Sequence, residues 1–492
     1  MQTAEERIAE LEAENGRLQA DNAGLRTQVA ELAGLRAQIR ELTAQVQDLQ
    51  ARLAKDSHNS SKPPSSDPLG RKRPRSQRRR SGKKPGGQLG HRGETLHLVA
   101  TPDARAEHRP AVCTTCQAPL DETAPVVGYE RRQVHELPPV RLLIREHRAL
   151  HVRCPACAHV SVGSFPAEAP SRAQYGPRLR GLAVYLLEQQ LIPYARVREL
   201  FADLLGAHVS VGTLNRWVQQ GAAVLRPVEE QIKAALARAP VLHSDETGVR
   251  RAGKLAWAHV ASTARLTHYA IHAQRGSEAT DAIGILPTYR GVSVHDGWKS
   301  YRHYPACRHA LCNIHHLREL TFLEEEHHQA WAKDLKALLL SMKAAVEQAR
   351  TRGDKRLEDA ERRTFISRYE QLLASGLAAN PPPPAFARQP GQRGRLKQSP
   401  ARNLLERLWL DQAAVLAFLD DFAVPFDNNQ AEQDLRMLKI QQKIAGSFRA
   451  DCGSEAFARI RGYLSSMRKQ GVALLAALQT VFAGQPLYPA LG

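Results

Sequence analysis

Apolar residues recur at heptad spacing over residues 4–55. Ile8, Leu11, Leu18, Leu25 and Leu32 make one stretch, and Leu35, Ile39, Leu42, Val46, Leu49 and Leu53 the next. Such a seam predicts a long helix that pairs with a second one, and the short step from Leu32 to Leu35 is a stammer in the repeat. Asn15 and Asn22 occupy a positions, where a buried amide costs stability but fixes register, so residues 1–55 are expected to self-associate as a coiled coil. A lone amphipathic helix packed on its own protein is the alternative.

The pattern lapses over 56–100, which reads as a basic unfolded linker. Arg71 to Lys84 carries Lys or Arg at 71, 72, 73, 75, 78, 79, 80, 83 and 84 and no acid. Like charges, Pro and Ser prevent a packed core there, leaving a solvated tether or a tail lying along phosphates. Strand-like stretches at Val126–Glu136 and Val140–Val152, around Leu137-Pro-Pro139, predict a hairpin within a domain spanning 101–170. Helical periodicity returns at 171–235: Pro177–Gln190, Tyr194–Leu205 and Val211–Leu225, with Gly206–Ser210 as the break and Ser210 as N-cap. From 236 to 305 the period changes to strands at Val241–Val249, Lys254–Ser262 and Leu266–Ala273, a helix at Ser277–Leu286 and a strand at Gly291–His295. Residues 306–424 read as a helical insertion: helices from about His309 to Leu377, a Pro-rich basic linker over Asn380–Pro400, and a helix from Ala401 to Asp421. A last segment, 425–492, opens with a helix that carries Glu432. The expected class is multidomain α+β, with an RNase H-like mixed-sheet core interrupted by the insertion and preceded by a coiled coil, a zinc ribbon and a helical DNA-binding region.

With 492 residues, the chain is too long for one core, and its formal charge of +19 favours a polyanionic partner, since each neutralised phosphate releases condensed counterions. No run reaches the roughly 18 apolar residues of a membrane span, and nothing at the start reads as a signal peptide, so a cytoplasmic location is expected. Four of the seven cysteines form Cys113-Thr-Thr-Cys116 and Cys154-Pro-Ala-Cys157, separated by 37 residues. Four thiolates make a closed tetrahedral shell for one structural Zn²⁺, against the alternative of four free thiols. Cys307 and Cys312, with His315 and His316 nearby, form a weaker second constellation. On the third helix of the 171–235 segment, Thr213, Asn215, Arg216 and Gln219 face outward, suited to the major groove, while Leu214, Trp217 and Val218 are available for the core.

Three acids stand in distinct settings. Asp245 and Asp296 each follow a strand-like run, and Glu432 opens a helix 136 positions (432 − 296) after Asp296. Each has a bland reading: Asp245 and Asp296 as turn residues, Glu432 as the partner of Asn429 in a capping box. Together, in that element order and in a basic chain, they suit a site for two Mg²⁺ ions that cuts and joins DNA. Crowded carboxylates repel, and cations relieve the repulsion. Glu246 is less favoured as a ligand because neighbouring strand residues point to opposite faces. Arg436, Lys439 and Lys443 follow Glu432 along one helix side, as phosphate contacts. Trp298 and Tyr301 follow Asp296, either to pack or to stack on an unpaired base.

Over nearly its whole length the chain resembles the type 66 insertion-sequence family of bacterial transposases. The resemblance is carried by Ser57-His-Asn-Ser-Ser-Lys-Pro-Pro-Ser-Ser-Asp67, Lys84-Pro-Gly-Gly-Gln-Leu-Gly-His91, the paired cysteine knuckles, His243-Ser-Asp245-Glu-Thr-Gly248, Asp296-Gly-Trp298 and Asn428-Asn-Gln-Ala-Glu432. It implies a DDE transposase with Asp245, Asp296 and Glu432 as triad, a zinc module and a zipper-like N-terminal helix. It further implies double-stranded DNA partners (the element's terminal inverted repeats and a target), small accessory proteins of the same element, and a place on the bacterial nucleoid. The chain departs from many relatives at Gln441-Gln-Lys443, where they carry an Arg-Lys-Asn-like segment. The rival readings are a non-catalytic, zinc-containing DNA-binding regulator and a nuclease that cuts without joining.

Overall fold

The computed structural model describes residues 4–56, 58–60, 90, 93, 95–138, 140–383 and 396–491. The basic run Arg71–Lys84, nearly all of the segment ending at His91 and residues 384–395 of the Pro-rich linker lie outside the described residues. The rest divides into two units. One draws on Met1–Pro74, Tyr175–Tyr194 and Gly212–Gly492, the other on Arg75–Gln174 and Ala195–Val211.

In the first unit, helix α1 (Ala4–Leu53) runs unbroken through the heptad segment, with Ile8, Leu18, Leu25, Leu32, Ile39 and Leu49 among its exposed apolar residues. Its end is fastened. Asp56 Oδ1 accepts the amides of His58 and Asn59, Asn59 Oδ1 accepts the Asp56 amide, and Asn59 Nδ2 donates to the Ala54 carbonyl. Short polar side chains that bind backbone in this way stop a helix. Ala51 is buried in the core of the insertion, and Lys55 Nζ lies 4.7 Å above the Phe322 ring.

The second unit holds the hairpin β1 (His151–Arg153) and β2 (Val160–Val162), antiparallel with Arg153 opposite Val160. The expected pairing of 126–136 with 140–152 is corrected here: the hairpin closes around the second knuckle. The Cys154 amide donates to the His159 carbonyl, so the turn supplies the pairing, while Val127, Val134, Leu143 and Ile144 stay exposed.

Helix α2 (Pro177–Val184) continues as a π turn over Tyr185–Gln189, then come α3 (Tyr194–Leu205), α4 (Val211–Val224) and α5 (Arg226–Leu236). Gly206, at φ +63°, ends α3 in the left-handed region where Gly carries no Cβ penalty. Leu214, Trp217 and Val218 of α4 are buried, as its periodicity requires.

Strands β3 (Val241–Arg251), β4 (Lys254–Ser262) and β5 (Thr267–His272) form an antiparallel meander, α6 (Ser277–Ile283) crosses over, and β6 (Val292–His295) lies parallel to β3. A fifth strand, β7 (Arg308–Leu311), extends the sheet in the order β5-β4-β3-β6-β7. The start expected for the helical insertion, near His309, is therefore a strand. This mixed sheet is compatible with an RNase H-like core.

The insertion comprises α7 (Asn313–His327), α8 (Ala330–Arg352), α9 (Asp359–Ala379), α10 (Pro400–Leu410), α11 (Gln412–Val415) and α12 (Ala417–Asp420). The single helix expected over Ala401–Asp421 is broken at Asp411 and Leu416, where a continuous rod would carry Val415, Phe418 and Leu419 away from the apolar core they fill. Leu335, Leu339, Met342 and Val346 form the buried stripe of α8. The chain returns to the sheet through α13 (Asn429–Ala445), α14 (Asp451–Lys469) and α15 (Leu474–Phe482). Leu435 and Leu438 of α13 and Phe457 of α14 pack with Val249, Ala258, Val260 and Tyr269 of the sheet.

Candidate active site

The parallel pairing of β3 with β6 sets Leu242 level with Ser293 and His243 level with Val294, an offset of 51 (294 − 243). Continued two residues, the same offset brings Asp245 level with Asp296 just past the strand end (245 + 51 = 296). Asp245 stands opposite Val260, and Val260 belongs to the core shared with α13, so Asp245 faces the helix that carries Glu432. Glu246 stands opposite His259 on the other face. There Tyr301 Oη donates to its Oε2 at 2.7 Å and Arg275 Nε to its Oε1 at 2.9 Å, so Glu246 is a bonded anchor.

Burial, then the charges of Glu246 and Asp296, and by a smaller amount that of Glu432, push the Asp245 carboxyl up to about 8. Its Oδ1 accepts the Glu246 amide at 2.8 Å, which works in the opposite direction and is outweighed. Asp296 Oδ1 accepts the Trp298 amide at 2.9 Å and Gly297 follows at φ +88°, so this acid does hold a turn as well as facing the site.

The capping-box reading of Glu432 fails. The N-cap of α13 is Asn428, Asn429 gives its amide to Asp427 Oδ1 at 3.1 Å, and Glu432 Oε1 is buried with no hydrogen-bond partner. A carboxylate oxygen left in that state costs about 1–3 kcal/mol or more unless something is bound there.

Asn428, given no separate role from sequence, positions the third acid. It is buried; its Nδ2 donates to the Ser244 carbonyl at 2.9 Å, its Oδ1 faces His243 Nδ1 at 2.9 Å, and its amide donates to Cys312 Sγ at 3.2 Å. The side chain of Asn428 thus ties the start of α13 to β3 beside Asp245, and its backbone N–H ties it to Cys312 just after β7. The signal was present in the His243 and Asn428 motifs, but only the fold makes them partners.

The cluster Cys307, Cys312, His315 and His316 separates. Cys307 Sγ donates to the Tyr304 carbonyl at 3.2 Å, and the buried His316 pairs with Asn313 Oδ1 at 3.1 Å. Cys312 and His315 turn instead toward Glu432. Tyr301 is buried against Glu246 and stacked on His295, whereas Trp298 is partly exposed with the Arg275 guanidinium 3.9 Å from its ring.

Arg436, Lys439 and Lys443 are exposed along α13. On α4, Asn215 and Arg216 are exposed and Thr213 is half-buried, while Gln219 Nε2 donates to the Cys452 carbonyl at 3.3 Å. Both cysteine knuckles have the same turn. The Gln117 and Ala158 amides return to the carbonyls of Cys113 and Cys154, with φ of +59° and +60°. Hydrogen bonds from the backbone of Cys116 and of Cys157 hold the Cys113 and Cys154 thiols below their ordinary range. Among the described residues, the four sulfurs are not gathered into one group of close ligand atoms.

No helix among the described residues is long and apolar enough to cross a membrane. No curated protein matches the chain. Residues 2–97 match a family of unknown function (DUF6444). Residues 172–456, which are 285 of 492 (456 − 172 + 1) and include all three acids, match the Transposase IS66 family. The chain belongs to the IS66 family of transposases.

Proposed function

We propose that the protein is a DDE transposase that binds the terminal inverted repeats of its insertion sequence, cleaves DNA at the element ends and joins the freed 3′-OH to target DNA. The observation that carries this reading is the convergence of Asp245 within β3, Asp296 just past the end of the parallel β6, and Glu432 in the first turn of α13. The donor set suits divalent ions: a buried carboxylate oxygen without a partner and an aspartate whose proton is retained to about pH 8 both mark a site short of positive charge. When bound, a pair of Mg²⁺ ions held by these three acids would activate the attacking oxygen and stabilise the departing one.

The remaining roles belong to the chain itself. Asn428 and His243 hold Glu432 against β3, and Glu246 with Arg275 and Tyr301 stiffens the far face. Arg436, Lys439 and Lys443 supply phosphate contacts beside the acids, and Thr213, Asn215, Arg216 and Gln219 read the element end. Gln219 serves there by exchanging its bond to Cys452. The four knuckle cysteines, with their matching turns, would have to draw together to hold one structural Zn²⁺, and α1 would pair with a second copy.

The test uses element-end DNA, pre-cut ends bearing a free 3′-OH, and a target plasmid. Asp245→Asn is expected to lose cleavage and joining by at least about a thousandfold while keeping end binding. Joining by that variant at the wild-type rate would sink the enzyme reading. Cleavage by the wild type with no joined product from pre-cut ends would reduce it to a nuclease.

A further inference from the structure

Cys312 ends the segment after β7, His315 lies in the first turn of α7, and Glu432 lies in the first turn of α13. One donor atom from each, a sulfur, an imidazole nitrogen and a carboxylate oxygen, lie within 4.8 Å of one another. Among the described residues this is the one such group of three or more. Two of its members are short of partners: His315 Nδ1 and Glu432 Oε1 are both buried with no hydrogen bond. Cys312 is only 1% exposed, and its sulfur accepts the Asn428 backbone amide at 3.2 Å. Packing that brings a thiol and two unsatisfied polar atoms together in the interior is unfavourable unless something fills the gap between them.

We propose that Cys312, His315 and Glu432 bind a borderline divalent cation of the zinc class, at a site that shares Glu432 with the acid triad. Sulfur and imidazole select Zn²⁺, Co²⁺ or Cd²⁺ over Mg²⁺, which takes oxygen donors almost alone. Three protein ligands leave a fourth position for water or a phosphate oxygen. On binding, the thiol proton passes to solvent and the sulfur donates to the metal, so no oxidant or reductant is needed. Occupancy draws Glu432 toward Cys312 and His315, and Zn²⁺ is therefore expected to inhibit joining that Mg²⁺ supports. That consequence rests on the triad reading; the binding itself does not.

Co²⁺ is the probe, because thiolate ligation gives it a charge-transfer absorption band. The full chain, Cys312→Ser and His315→Asn are each dialysed against Co²⁺, and bound metal and the band are recorded alongside a thermal melt. Wild type is expected to hold one equivalent more than either variant. In Cys312→Ser the thiolate band should fall while the knuckle cysteines keep theirs. Addition of Zn²⁺, but not of Mg²⁺ in large excess, should release the extra equivalent from wild type. Equal uptake by wild type and folded variants overturns the proposal, and if Cys312→Ser does not fold, His315→Asn alone decides. Absence of any Mg²⁺-dependent joining, with the extra Co²⁺ equivalent intact, would remove the triad reading and leave this site standing.

Discussion

Asp245 and Glu246 are adjacent carboxylates with opposite fates, and the strand's two-residue period separates them. Glu246 lies among Tyr301, Arg275 and His259, where its two oxygens accept hydrogen bonds; Asp245 lies under α13 with two other acids. Burial and like charge raise the Asp245 carboxyl from 3.8 to about 8, so without divalent ions the folded chain holds a proton that the unfolded chain has released. The sign follows. This group's contribution is complete below about pH 4 and is lost as pH rises toward 8, because the unfolded state binds fewer protons across that window. In chelator, Asp245→Asn should melt higher than wild type at pH 8 and nearly level with it at pH 4. Mg²⁺ should stabilise the wild type at pH 8 and leave the variant almost unmoved. Equal melting of the two proteins at both pH values would mean that the carboxyl is not held protonated.

At the level of elements, α14 approaches the edge strand β5 closely. A Cβ at Gly462 of α14 would meet the Thr267 carbonyl oxygen of β5 at 3.1 Å, a backbone atom of the sheet rather than the flexible end of a side chain. Gly462→Ala should therefore destabilise by about 1–3 kcal/mol, read as a lower urea midpoint with an unchanged slope. No loss would mean that α14 shifts freely on the sheet. The meander and α13 were legible because their patterns are local: strand-like runs with short breaks in β3, β4 and β5, and Leu435 and Leu438 at helical spacing. Strand β7 was not, since Arg308–Leu311 is four residues long and sits before a helix with its own strong pattern. The broken helix after Pro400 was missed for a related reason. Gln412–Asp420 has no breaker residue, and its kinks at Asp411 and Leu416 exist to seat Val415, Phe418 and Leu419 in a core made by distant helices. The three acids were legible as a set, but Asn428, which fastens the third, acts through His243 and Ser244, 185 and 184 residues away, and only tertiary contact reveals that.

Across the whole molecule, α1 joins an exposed apolar seam to a fixed end. Ala51 sits in the insertion core, and the Asp56–Asn59 turn closes the helix, so the last turn belongs to the folded body while the heptads before it stay uncovered. Removing residues 4–46 keeps Ala51 and the turn. The shortened chain should sediment at half the mass or less of the full protein at micromolar concentration, with its melting temperature little changed. An unchanged sedimentation profile would count against pairing through this helix.

The Asn428 clasp has a consequence for gene decay. The two aspartates are specified in the middle of the reading frame, but the glutamate and its fastening side chain come more than a hundred codons later, beyond the whole insertion. A frameshift or stop after codon 296 and before codon 428 therefore yields a polypeptide with the sheet aspartates and no third acid. Such remnants keep everything upstream, α4 and the cysteine knuckles included. They are expected to occupy element ends without cutting them, so that a damaged copy would act as a brake on its intact siblings.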